Sequence, residues 1–109
     1  FHKHLGQLCH GIQLHVDAAR YGHGQFRPWR LIAALLKARR TLQPAALLWR
    51  EFPYEYEHDR LAFDLINGGG RLRQWIEDPR ATAAHLDAMA LPEERAWCEA
   101  RASVLLYRD

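Results

Sequence analysis

Apolar and polar residues alternate near the start of the chain. Ile12, Leu14 and Val16 are apolar, and the residues between them are polar. A period of two that includes β-branched side chains predicts a strand with one buried face. The apolar run at residues 47–49 predicts a second short strand, and residues 52–57, which alternate aromatic and acidic side chains, suit a strand or an extended loop.

A helical period follows this first strand. Pro28 suits the first position of a helix, because its missing N–H would have no partner there. The helix is expected over residues 29–42, with one apolar stripe facing the core. Arg30, Lys37 and Thr41 fall on the opposite face, which we expect to be solvated.

Shorter helices are predicted in the second half of the chain. Asp59 can cap a helix through residues 61–66, and the three glycines at 68–70 end it. A glycine turn before a helix can also hold an anion, but a helix end with a flexible turn is the simpler interpretation. Further helices are predicted at residues 72–77, 82–89 and 92–106, the last with Pro92 in its first turn.

Together these elements predict an α+β fold in a single domain, residues 1–109, with a small two- to three-stranded sheet covered by four to five helices. The predicted core contains side chains from both the strand and the helices. They are Ile12, Leu14, Val16, Leu31, Leu35, Phe63, Trp97 and Val104.

Composition and charge exclude several classes of protein. About half of the residues are apolar, and the net charge is only +2, as in an ordinary globular domain. No apolar run reaches the roughly 20 residues of a membrane span. Residues 18–50 hold seven Lys or Arg and no acid, whereas residues 51–64 hold five acids and one Arg. The near-neutral total argues against a nucleic-acid partner, which would need several phosphate contacts.

Histidines and cysteines give no metal-site pattern. His10 and His15 lie five residues apart on the predicted strand and so point to opposite faces, and no zinc-finger or HExxH spacing occurs. We expect no metal and no cofactor. Cys9 and Cys98 are too few for a disulfide framework, so buried free thiols are expected, with a pairing of the two left open.

Tyr54, Glu55 and Tyr56 combine aromatic rings with a carboxylate. Aromatic faces stack on sugar rings, and carboxylates hydrogen-bond to hydroxyl groups or act as acid and base. The alternative is an edge strand with its aromatic side chains packed inward.

Five short motifs occur in an order that resembles the bacterial exo-β-N-acetylmuramidase family, once a domain of unknown function. The motifs are GQLCHGIQLHVD at residues 6–17, FRP at 26–28, FPYEY at 52–56, DLING at 64–68 followed by Leu72 and Arg73, and LLY at 105–107. None is specific alone, but together they span nearly the whole chain.

The resemblance implies a two-domain enzyme that removes N-acetylmuramic acid from the non-reducing ends of peptidoglycan fragments. Its N-terminal, Rossmann-like domain is expected before Phe1 and would carry the catalytic residues, so none is assigned here. The partners are then that catalytic domain and a muramyl sugar. In a bacterium the full-length protein could be exported to the periplasm, although the sequence leaves the compartment open.

The resemblance also suggests how this domain would serve the enzyme. Gln13, His15 and Asp17 on the polar strand face, with Tyr54, Glu55 and Tyr56, could line one wall of the inter-domain cleft. An arginine of residues 18–50 could pair with the lactyl carboxylate of the sugar. Two alternatives stay open: a docking domain that never touches substrate, and an independent carbohydrate-binding module.

Overall fold

The computed structural model describes residues 3–17, 21–22 and 24–107. It has four α-helices, which are α1 (Pro28–Leu42), α2 (Ala62–Ile66), α3 (Arg71–Glu77) and α4 (Ala83–Arg101), followed by a 3₁₀ turn at Ala102–Val104. No sheet forms in the described part of the chain, where the one β-bridge joins Tyr54 to Glu57. The predicted α+β fold is therefore wrong, and the domain is helical.

The predicted first strand lacks a partner. Residues 8–16 are exposed, and their backbone groups make no hydrogen bond to another backbone group of the described chain. Ile12, for example, is 71% exposed. A strand needs a neighbour to pair its N–H and C=O groups, and residues 47–49, the other predicted strand, form a loop instead.

Helix α1 begins as the sequence predicts. Pro28 occupies its first turn, and the helix ends at Leu42. Arg39 and Arg40 lie in its last turn, where positive charges interact favourably with the negative end of the helix dipole. Ala33 is completely buried at its centre. Because alanine is small, α1 can approach α3 closely there.

The hydrophobic core lies where α1, α3 and α4 meet. It consists of Ala33, Leu72, Trp75, Ile76 and Leu86, with half-buried side chains packed around it. These surrounding residues are Leu36, Trp49, Phe63, Ala81 and Met89.

The predicted core is therefore mostly wrong. Leu31, Leu35 and Phe63 are half-buried, but the other five residues are exposed. They are Ile12, Leu14, Val16, Trp97 and Val104. The strand residues have no sheet to cover, and Trp97 and Val104 lie beyond the part of α4 that packs on α3.

The glycine turn joins α2 to α3 as predicted. Gly68 and Gly69 have positive φ angles of 74° and 152°, which side chains rarely adopt. The N–H of Gly69 donates to the carbonyl of Asp64 at 2.7 Å, and the Asp64 carboxylate accepts from Arg73 at 2.7 Å. Asp59 does not cap α2, whose N-cap is Leu61.

Helix α4 is one continuous helix where the sequence predicts two. Pro92 lies inside it rather than in its first turn. The proline removes the hydrogen bond to the carbonyl of Ala88, a residue that is exposed, so water can satisfy the freed oxygen. Leu86 and Ala90 are buried before the proline, whereas residues 91–100 are all exposed.

The described chain is spread out for its length. Its radius of gyration is 17.2 Å, compared with about 13 Å for a compact domain of roughly 100 residues. No helix of the described chain is long and apolar enough to cross a bilayer. Cys9 and Cys98 are both free and exposed, so the expected burial of the two thiols is wrong.

Candidate functional site

A shallow pocket forms between the end of the N-terminal segment, residues 15–17, and the loop that leads into α1. His15, Val16 and Asp17 line it together with Tyr21, Gly22, Gln25 and Phe26, and its volume is about 390 Å³. The rings of Tyr21 and Phe26 meet edge to face with their centroids 5.4 Å apart. The structure thus places two of the predicted site residues beside an aromatic pair that sequence reasoning did not select.

Backbone hydrogen bonds hold this pocket together. The N–H of Tyr21 donates to the carbonyl of Asp17 at 2.9 Å, and the N–H of Phe26 donates to the carbonyl of Gly22 at 3.0 Å. These turns leave the His15 and Asp17 side chains exposed. Gln13 is exposed too, but it lies outside the pocket.

The second predicted group, Tyr54, Glu55 and Tyr56, lies on a tight turn. Tyr54 and Glu57 exchange both backbone hydrogen bonds, at 3.2 and 3.1 Å, and Glu55 has a positive φ of 55°. The turn points Tyr56 into solvent, where it is 97% exposed. None of these residues lines the pocket of His15 and Asp17, so that pocket does not unite the six predicted residues.

Glu57 anchors the base of this turn. Its carboxylate accepts from Arg60 at 2.6 Å and from the backbone N–H of Asp59 at 3.1 Å. The bond from Arg60, followed by the one from Asp59, lowers the pKa of Glu57 below its ordinary value. Glu57 is therefore held as an anion in a structural role.

An arginine lies over two aromatic rings at the start of this turn. The Arg50 guanidinium carbon lies 3.7 Å from the centroid of the Phe52 ring and 6.0 Å from that of Tyr54. Arg50 is exposed, and it forms no ion pair in the described chain.

Much of the basic half of the sequence is paired within the domain. Arg30 donates to Asp87 at 2.6 Å and to Glu94 at 2.7 Å, and Arg40 donates to Glu77 at 2.9 Å. Arg30 and Lys37 are half-buried, so the expectation that they are solvated is wrong, whereas Thr41 is exposed as expected. Arg20 lies outside the described residues.

A pocket of about 400 Å³ that the sequence did not predict lies between the start of α1, the glycine turn and α4. The indole N–H of Trp29 donates to Asn67 at 3.2 Å across it, and Arg71 pairs with Glu93 at its rim. Hydrogen bonding to Arg30 lowers the pKa of Glu94, another lining residue. Local patterns could not reveal this pocket, because its pairs join residues 22 to 64 positions apart.

The described acidic residues do not form a buried catalytic pair. No polar or charged residue is buried in the described chain. No cluster of His, Cys, Asp or Glu in it could hold a metal ion. What the candidate surfaces offer is binding chemistry: aromatic rings, a free guanidinium and exposed hydrogen-bonding groups.

Comparison with models of known protein families shows which family the chain belongs to. The family model described as "Exo-beta-N-acetylmuramidase NamZ, C-terminal" matches residues 1–107. The chain belongs to this family. The resemblance predicted from the sequence motifs is confirmed over nearly the whole chain.

Membership shows that the chain is part of an exo-β-N-acetylmuramidase-type protein. A C-terminal NamZ domain implies an N-terminal domain as its partner. Searches of curated proteins and of solved structures found no match.

Proposed function

We propose that this NamZ C-terminal domain forms one wall of the inter-domain cleft of a glycoside hydrolase. The enzyme would remove N-acetylmuramic acid from the non-reducing ends of peptidoglycan fragments. Its catalytic residues would lie on an N-terminal, Rossmann-like domain. The C-terminal domain described here would contribute the substrate-binding groups, which are Gln13, His15, Asp17, Tyr54, Glu55 and Tyr56.

The pocket that contains His15 and Asp17 is the observation that carries this proposal. An edge-to-face aromatic pair lies beside an imidazole, a carboxylate and the Gln25 amide in that pocket. Sugar recognition uses this combination, because aromatic rings cover the apolar face of a pyranose while polar groups meet its hydroxyls.

The N-terminal segment supports contact with a partner domain. Apolar side chains at Leu5, Leu8, Ile12, Leu14 and Val16 are exposed, and the backbone of residues 8–16 is unpaired within the described chain. The segment lies at the N-terminal end of a C-terminal family, which is the side from which the chain of the partner domain arrives. Docking there would cover apolar surface that a monomeric soluble domain rarely exposes in one stretch.

Three described carboxylates, all outside the proposed site, suit ion pairing better than proton transfer. A glycosidase general acid needs a raised pKa, which burial in an apolar site provides. The pKa values of Glu57, Asp78 and Glu94 are instead lowered by hydrogen bonds, from Arg60, from the backbone of Arg80 and from Arg30 respectively. These three groups stay ionised at neutral pH.

Kinetics of the full-length enzyme test the proposal. With a chromogenic muramyl glycoside, His15→Ala and Tyr56→Ala should each raise KM by about three- to tenfold, the range for losing one hydrogen bond or stacking contact, with a smaller change in kcat. Arg95→Gln, on the exposed end of α4, should leave KM unchanged. The isolated chain should show no turnover.

Other results would favour the alternatives. An unchanged KM in both site variants would leave a docking domain that never touches substrate. Tight binding of a muramyl sugar to the isolated chain would favour an independent carbohydrate-binding module. Turnover by the isolated chain would show that the catalytic residues are in this domain.

A further inference from the structure

Arg50 differs from the other described arginines of the basic half. Arg30 and Arg40 are neutralised by carboxylates, and Arg27 donates to the carbonyl of Gly24 at 2.7 Å. Arg39 is exposed on α1, with no aromatic contact in the described chain. Arg50 combines a charge without an ion pair with two nearby aromatic rings, those of Phe52 and Tyr54.

This arrangement suits recognition of a carboxylate. Stacking on a ring engages the flat face of a guanidinium and leaves its N–H edge free to donate two parallel hydrogen bonds. Holding the side chain against Phe52 also reduces the rotamer freedom that would be lost on binding. The turn that carries Tyr54, Glu55 and Tyr56 follows immediately, so groups for sugar contacts lie beside the charge.

We propose that Arg50, supported by Phe52 and Tyr54, binds the lactyl carboxylate of N-acetylmuramic acid and makes the cleft selective for muramyl over uncharged sugars. The inference rests on the proposed function, since it places the sugar against this turn. It assigns to one residue the discrimination between N-acetylmuramic acid and the same sugar without its acid group.

The test compares two ligands that differ in this charge and in one added methyl group. Binding of N-acetylmuramic acid and of its lactyl methyl ester to the full-length enzyme is measured by calorimetry, for wild type, Arg50→Met and Arg50→Lys. Wild type should prefer the acid. Arg50→Met should lose about ten- to a hundredfold in affinity for the acid, the range for a charge-assisted hydrogen bond, while ester binding changes little. The affinity of Arg50→Lys for the acid should lie between those of wild type and Arg50→Met, because lysine keeps the charge but cannot donate two parallel hydrogen bonds.

Arg39→Met is the matched control, an exposed arginine in the same basic half, and it should keep the wild-type preference. If Arg50→Met also keeps that preference, the assignment of Arg50 is overturned. His15→Ala and Tyr56→Ala separate the two proposals, because they should weaken acid and ester binding alike. If His15→Ala and Tyr56→Ala weaken the binding of both ligands while Arg50→Met changes the binding of neither, only the inference about Arg50 fails. If none of the variants changes binding, the proposal that this domain forms a wall of the cleft is wrong.

Discussion

Lys37 of α1 lies over the indole ring of Trp75 in α3, with its ammonium nitrogen 4.6 Å from the ring centroid. The same nitrogen donates to the carbonyl of Trp75 at 2.9 Å and to that of Asp78 at 2.7 Å. These carbonyls lie at the end of α3, where the helix leaves its last acceptors without intrahelical partners. One lysine therefore joins α1 to α3 by a cation–π contact and also caps α3.

Replacing Lys37 by Met tests this joint role. Methionine keeps much of the apolar stem but removes the charge and the donors, so we expect a loss of about 1–3 kcal/mol in the free energy of unfolding. Arg39→Met, on the same helix but exposed, should cost less than about 1 kcal/mol, because it removes only a contact with the helix dipole. Urea denaturation measures both, and equal stability of the two variants would contradict the capping role.

Ile76 and Trp97 provide a test of where the core lies. Ile76 is 1% exposed, whereas Trp97 is 65% exposed despite its size. Ile76→Ala should therefore cost about 2–5 kcal/mol, and Trp97→Ala less than about 1 kcal/mol. The sequence pattern predicts a large cost for Trp97. Thermal and urea unfolding of the two variants distinguish these cores, and a larger loss at Trp97 would place the core along the second half of α4.

The ion pair of Arg30 with Glu94 should make stability depend on pH. Hydrogen bonding to Arg30 lowers the pKa of Glu94 in the folded state. The carboxylate therefore stabilises the fold fully above its unfolded-state pKa of about 4.3. This contribution is lost as the pH falls through the folded-state pKa. Glu94→Gln should reduce stability at pH 7, and the difference from wild type should shrink below about pH 4.3.

Urea denaturation across pH 3–7 gives this difference. In an Arg30→Met background, Glu94→Gln should show a much smaller pH-dependent effect, because the largest cause of the pKa change is absent. A difference that persists unchanged to pH 3 would contradict the assignment to this pair.

Hydrogen exchange tests the docking surface. In the isolated chain, amides of residues 8–16 should exchange rapidly, because they have no backbone partner in the described structure. With the N-terminal domain attached, residues 3–8 and 12–16 and the turn at 54–56 should become protected. Core amides of α3, around Ile76, should show similar protection in both proteins. Equal exchange at the three surface segments would mean that they also face solvent in the full-length protein.

The sequence predicted those features that depend on local chemistry. Pro28 begins α1 because its ring fixes a helical φ and its lack of an N–H costs nothing there. Gly68 and Gly69 end α2 because their φ angles favour glycine. The order of the short motifs identified the family correctly for the same reason: they can be found without knowing which residues meet in space.

Features set by distant contacts were missed. Lys37 matched a solvated helix face, since nothing in α1 indicates that the end of α3 lies within reach of its ammonium group. Pro92 matched a helix start, since the pattern does not show that α4 can continue through a proline whose lost hydrogen bond falls at Ala88, an exposed residue. Ile12, Leu14 and Val16 have the period of a strand, but a pattern cannot supply the neighbouring strand.

The large radius of gyration suggests that the stability of this domain depends on its partner domain as well as on its own core. Five buried side chains form its core, and the chain around them spreads over extents of 48 × 40 × 33 Å. A small core provides a small free energy of folding, so docking to the N-terminal domain would add to it through linkage. A ligand that holds the cleft closed should then raise the melting temperature of the helical core, although it touches none of the core residues. Substrate binding and the folding of this domain would then be thermodynamically coupled.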